Sequence, residues 1–379
     1  MTLDERFDAR RNSLDLLRTS FALLVAVSHA WVMRTGEQPT WNGTTLGDVA
    51  VDGFFVLSGF LVTRSFLTLG SVPRYVWHRL LRIMPGFYAC LLVTAGVLAP
   101  LAALLQGLPL TSVYTTDPTA QHYLLANAGL LIREYQLGGL FATNPTPLVV
   151  NGALWTLFFE ALCYGLVVVC GIAGLLTRRR AGVLVLAVLV WGLLLLRTSG
   201  PLGQPDVDLL RLVLVFLLGC LAQLYADRIP MRSWLAVVAL VGVVVGVALS
   251  DPYQLLGGVP LAYLLLWFAA CYPRPVRLRV DLSYGVYIYH WPLLQLLALT
   301  PLVEAPLAVF VVLGLLLSAG LATASWFGVE HPALRQKNHP LPDRVDQLVA
   351  TVRHRLGHRR LRPEERPPAV RPGSRTPSS

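Results

Sequence analysis

Ten apolar runs constrain this chain more than any other feature: residues 14–33, 48–67, 83–106, 150–176, 181–196, 209–225, 232–249, 254–270, 283–299 and 307–328. A helix rises 1.5 Å per residue, so about twenty residues cross the ~30 Å hydrocarbon core of a bilayer. Of the 379 residues, 55% are hydrophobic and only 14% charged, where an ordinary soluble domain carries ~25% charge. A chain so poor in charge cannot cover its own surface in water. A soluble enzyme, a disordered chain and a disulfide scaffold are excluded. The predicted fold is all-α: a polytopic membrane protein with ten transmembrane helices. The five cysteines are dispersed without CxxC spacing and read as small buried hydrophobes, so no metal site is expected.

The formal net charge is +10, and its distribution decides its meaning. With the N-terminus in the cytoplasm, the cytoplasmic segments up to residue 282 hold fourteen arginines, against Arg34, Arg133 and Arg197 in the opposite loops. That is the positive-inside bias, and it predicts both termini inside and no nucleic-acid partner. Residues 1–13 form the cytoplasmic N-terminus and 14–335 the membrane domain; 336–379 is a basic, Pro- and Ser-rich cytoplasmic tail expected to be disordered. Within the long segment 107–149, the stretch around 121–132 is too short to span and is expected to be a re-entrant or interfacial helix.

Ionisable groups at membrane depth are expensive unless paired or facing a cavity, so the exceptions are informative. Arg18 and His29 are eleven residues apart. That is about 16.5 Å and roughly 1100° of helix, which sets both on one face. Asp15 can pair with Arg18. Asp52 and Ser58 lie in the second run, near small residues that allow close approach. Arg79 and Arg82 sit three apart at the cytoplasmic mouth; they are either topology signals or a phosphate grip, for which arginine forks are suited. Glu160 lies inside an apolar run, and Glu330 ends the last one. Tyr284, Tyr287 and Trp291 share a helical face flanked by His290, and Asp281 or Ser283 can cap that helix.

Six segments carry a resemblance: LDLLRTSFALLVAVSHA, VDGFFVLSGFLVTRSF, RYVWHRLLRIMPGFY, ALWTLFFEALCYG, LSYGVYIYHWPLL and ASWFGVEHPAL. In this order, over nearly all of residues 10–335, they resemble the acyltransferase-3 family of integral membrane acyltransferases. The resemblance implies transfer of an acyl group, acetyl being the commonest, from acyl-coenzyme A to a hydroxyl of a carbohydrate or secondary metabolite. It maps the arginine-to-histidine signature onto Arg18 and His29, the paired arginines onto Arg79 and Arg82, and the family glutamates onto Glu160 and Glu330. The extra esterase-like domain of some relatives has no counterpart here.

Acyl transfer to an alcohol needs a base for the hydroxyl proton and a grip on the thioester donor. His29 is the expected base, with Glu160 or Glu330 orienting an imidazole or countering an arginine. Arg18, Arg79 and Arg82 are expected to hold the coenzyme A phosphates. Asp52, Ser58, Tyr284, Tyr287, His290 and Trp291 are expected to line the substrate passage. Direct attack and an acyl-histidine intermediate both remain open. Acyl-coenzyme A is a donor substrate, with no permanently bound cofactor, and the bilayer is the other partner. The competing reading is an exporter or permease, which would move a ligand without consuming acyl-coenzyme A.

Overall fold

The computed structural model describes residues 1–9, 11–198, 204–272 and 280–338. Arg10, Arg274, Arg277 and Arg279 of the charge count, and the tail from 339 onward, lie outside the described residues.

Among the described residues, eight helices are long and apolar enough to cross a membrane. They are α1 (Leu14–Thr35), α2 (Leu46–Leu69), α3 (Val72–Leu105), α4 (Trp155–Ile172), α5 (Ala181–Thr198), α6 (Gln204–Leu224), α8 (Gln254–Cys271) and α10 (Leu307–Arg335). The two remaining apolar runs form the shorter helices α7 (Ser233–Leu249) and α9 (Ser283–Ala298). The chain is thus an all-α polytopic membrane protein with eight spans that meet the length criterion. A hairpin of two-residue strands, Thr40–Trp41 and Thr44–Thr45, precedes α2.

Helix starts follow local chemistry. The Asn12 side chain accepts from the Leu14 amide at 3.1 Å. Thr45 and Asp48 form a reciprocal capping box at the start of α2. Asp281 Oδ1 accepts from both the amide (3.3 Å) and the hydroxyl (2.6 Å) of Ser283 at the start of α9.

Every residue of α9 is buried. It is the pillar of the bundle, packed against α1 and α10, which is why a short helix rich in Tyr, His and Gln belongs inside a membrane protein. Pro292 within it cannot donate to the Ile288 carbonyl. That carbonyl instead accepts from Asn151 Nδ2 at 3.0 Å and Cys90 Sγ at 3.2 Å. The outward-facing sides of α5 and α7 expose Leu, Val and Trp side chains as lipid contact requires.

Helices α2 and α6 pack closely. A Cβ on Gly59 would collide with the Phe216 carbonyl, and one on Gly219 with that of Val56. With no hydrophobic force between helices in lipid, such backbone approach supplies the packing.

Two helices contain a wide π turn, Thr94–Leu98 in α3 and Trp326–Glu330 in α10. Residues 106–154 are mostly irregular. An eight-residue helix, Ala120–Asn127, forms near the stretch expected to be re-entrant. The end of this segment is tied to α9: Gln295 Nε2 donates to the Thr146 and Val149 carbonyls (2.8 and 2.7 Å), and Trp291 Nε1 donates to Val149 at 3.1 Å.

Candidate active site

The start of α1, the start of α3 and the segment before α9 converge at one end of the bundle. Arg82 Nη2 lies 2.7 Å from Asp281 Oδ2, and Arg18 Nη1 lies 3.9 Å from the same oxygen and 3.7 Å from Asp15. Burial alone would raise the Asp281 carboxyl; the guanidiniums of Arg82 and Arg18 overcome this and hold it well below the usual carboxylate range. Arg79, one helical turn before Arg82, has no carboxylate within salt-bridge distance among the described residues. Its guanidinium lies over the rings of Tyr75 and Tyr164 at 6.0 and 5.5 Å, and its buried Nε has no hydrogen-bond partner.

The chain after α10 adds a fourth cation. The 3₁₀ turn Gln336–Asn338 is held by Trp77 Nε1, which donates to the Gln336 carbonyl (3.3 Å), and His78 Nε2, which donates to that of Lys337 (3.1 Å). Burial, and then the charges of Arg82, Arg79 and Arg18, lower the Lys337 ammonium from 10.5 to about 8. Four cations set against the carboxylates of Asp281 and Asp15 leave positive charge unspent, and that suits a polyanion.

A cavity of about 110 Å³ leads inward from this end, with Arg18, Arg79 and Arg82 in its wall. Further along, its lining includes Ser58, Glu160, Tyr164, Tyr284, Thr156 and Tyr287. Glu160 Oε1 accepts a short hydrogen bond from Tyr164 Oη and a 3.5 Å one from Ser58 Oγ. Tyr284 Oη donates to the Ile83 carbonyl at 2.7 Å, and Tyr287 shares a hydrogen bond with the Thr156 hydroxyl.

Beyond Tyr287, whose ring centroid is 6.1 Å from that of His290, lies a histidine pair. His29 Nδ1 and His290 Nε2 are 2.7 Å apart, and the two rings meet edge to edge with their planes 13° apart. The Trp291 ring meets His29 edge-on at 4.8 Å. It is seated on Gly152, where a Cβ would come within 2.6 Å of the indole. His290 is fully buried, while His29 is partly exposed.

The acyltransferase domain of the acyltransferase-3 family matches residues 11–327. The chain belongs to the acyltransferase-3 family. It is a multi-pass membrane acyltransferase. Among its relatives are Nodulation protein 10 of Rhizobium leguminosarum bv. viciae (30% identical over 88% of this chain and 95% of the relative) and the O-acetyl transfer protein of Shigella phage Sf6, described as "O-acetyl transferase" (24%, over 76% and 85%). A third is the putative peptidoglycan O-acetyltransferase YrhL of Bacillus subtilis strain 168 (26%, over 85% and 55%). No solved structure matches the chain.

In this acyltransferase-3 protein the two glutamates do not reach His29. Glu160 belongs to the cavity. Glu330 closes the π turn of α10, where Ser325 Oγ donates to its Oε1 at 2.9 Å and its buried Oε2 has no partner. Sequence left these glutamates either to orient an imidazole or to counter an arginine; among the described residues the ring that meets His29 Nδ1 is His290.

Asp52 also departs from expectation, because it does not line the cavity. Fully buried, it accepts from Arg211 Nη1 (3.1 Å) and from Tyr253 Oη (2.8 Å), and it also accepts from Gln254 Nε2. Arg211 also reaches Asp48 (3.1 Å) and Asp208 (2.8 Å). A carboxylate at that depth needs such partners, and the face of α2 that carries it is turned away from Phe54 and Ser58.

Sequence reasoning did not single out Tyr164 and Thr156, which line the cavity, Lys337 beside its arginines, or Asn151 and Arg211, which hold the helices away from it. Arg211 alone left a readable signal, as an ionisable group inside an apolar helix.

Proposed function

We propose that this acyltransferase moves an acetyl group from acetyl-coenzyme A to a hydroxyl of a carbohydrate or secondary metabolite at the bacterial plasma membrane. Two of the three relatives are named for O-acetyl transfer, which supports the acyl group. The fourteen-to-three arginine asymmetry supports ten crossings with both termini inside. The 120–127 helix then lies on the outer side without spanning.

The observation that carries the reading is the cavity, with three arginines in its wall and Tyr287, the neighbour of His290, along its inner part. The pyrophosphate and 3′-phosphate of the donor are held by Arg79, Arg82, Arg18 and Lys337 as charge-assisted hydrogen bonds. The pantetheine arm runs inward past Tyr284, Ser58 and Glu160 toward Tyr287. His29 Nε2 takes the proton of the acceptor hydroxyl while its oxygen attacks the thioester carbonyl. The C–S bond breaks, and the coenzyme A thiolate leaves with the proton that the imidazolium returns. Glu160 fixes Tyr164 beside the donor path, and Glu330 contributes negative potential behind Arg82.

The test is transfer of label from acetyl-coenzyme A to a panel of hydroxylated acceptors by membranes carrying wild type, His29→Ala or Arg82→Ala. Loss of turnover in His29→Ala with donor affinity retained, and weakened donor affinity in Arg82→Ala, are the expected results. Full turnover by His29→Ala removes the base from this assignment.

A further inference from the structure

We infer that His290 is a positioning residue: it fixes the tautomer and plane of His29 so that the free lone pair of His29 sits on Nε2. This rests on the reading of His29 as the base.

One chain of hydrogen bonds leads from the Val286 carbonyl through His290 to His29. The Val286 carbonyl can only accept, and His290 Nδ1 lies 3.1 Å from it, so Nδ1 of His290 carries the hydrogen. A second proton on His290 would put a charge on a ring that is 0% exposed, with no carboxylate beside it among the described residues. Such a charge is costly. The ring is therefore neutral, and its Nε2 offers a lone pair. Among the described residues it meets Nδ1 of His29 at 2.7 Å, and that nitrogen must then donate. With Nδ1 protonated, the neutral His29 has one basic nitrogen left, and it is Nε2.

Geometry keeps this arrangement in place. Val286 is one turn before His290 on α9, so the contact is built into the helix and locks the side-chain rotamer. The in-plane contact with His290 and the edge-on Trp291 leave His29 little freedom to rotate. Trp291 is itself fixed by its bond to the Val149 carbonyl. In many hydrolytic sites a carboxylate performs this orienting role and also stabilises the imidazolium. A neutral histidine orients without adding a charge to the membrane interior.

The test uses the full-length protein in membranes or detergent, with coenzyme A binding as a check on folding. His290→Phe keeps a ring but offers no acceptor. His290→Gln places an amide oxygen where Nε2 was, whereas the amide of His290→Asn ends one bond short of it. The expected result is a kcat lowered roughly 10- to 100-fold in His290→Phe with the acetyl-coenzyme A KM unchanged, part of the ~10²–10⁴ that a general base supplies. Gln should restore most of the rate, and Asn should not. Wild-type kcat in His290→Phe overturns the inference, as do equal rates for Gln and Asn; if Phe fails to fold, that second comparison decides alone. His29→Ala separates the two claims. An inactive His29→Ala beside indifferent His290 variants leaves the base standing and removes only the positioning role, whereas an active His29→Ala removes the base itself.

Discussion

Asp281 Oδ2 sits 2.7 Å from Arg82 Nη2, while its other oxygen holds the first residue of the helix that carries His290. One carboxylate therefore ties the arginine mouth to the central pillar. Because the guanidiniums hold its carboxyl below the ordinary range, it contributes stability that is present above about pH 4, the usual carboxylate value, and lost as pH falls further. Asp281→Asn should cost about 1–3 kcal/mol at neutral pH, the scale of a charged hydrogen bond. It should also flatten the acid side of a thermal-stability profile measured in detergent.

Arg79 is a guanidinium of the mouth with no carboxylate within salt-bridge distance among the described residues, which leaves it available to a phosphate. Arg79→Met should raise the KM for acetyl-coenzyme A by about 10- to 100-fold, since a charge-assisted hydrogen bond contributes ~1.5–3 kcal/mol. The rate at saturating donor should change little. Steady-state kinetics at varied donor concentration checks this.

Lys337 titrates near pH 8 in the folded protein, against 10.5 ordinarily. Between these values the unfolded chain binds the extra proton, so this group makes folding more favourable as pH rises through that window. Donor binding has the opposite dependence, because a phosphate favours the charged ammonium. Affinity for coenzyme A should fall several-fold (about 3- to 10-fold) as pH rises from 7 to 9, a change of up to ~1.4 kcal/mol. Calorimetric titration with coenzyme A across this pH range checks this, and Lys337→Met should show a flatter profile.

The Asp52–Arg211 pair is buried and has no place in the donor cavity. Arg211→Met should destabilise the bundle by about 3–5 kcal/mol by leaving Asp52 unpaired. Combining it with Asp52→Asn should recover part of that loss. Melting in detergent measures both, and the surviving folded fraction should keep its donor KM.

The helices and the arginine mouth were legible in the sequence because both depend on local pattern: apolar run length marks spans, and charge placement marks their ends. His29 was legible as an ionisable group at depth. Its partner was not, since 261 residues separate the two rings and periodicity describes a face without saying what meets it. The same limit hid the role of Asp52, whose neighbours come from α6 and α8. Lys337 lay in what reads as the start of the basic tail, and the bonds from Trp77 to the Gln336 carbonyl and from His78 to that of Lys337 bring it to the mouth. The family match ends at residue 327, before both Glu330 and Lys337.

Thr156 and Tyr287 share a hydrogen bond in the stretch of the cavity nearest the histidines. A polar hole open from one end of such a bundle to the other would drain the ion gradients of the cell. Any route from the donor cavity toward the histidines thus requires the enzyme to be an electrical insulator as well as a catalyst. The Thr156–Tyr287 hydrogen bond lies in that stretch, where the two buried hydroxyls satisfy each other.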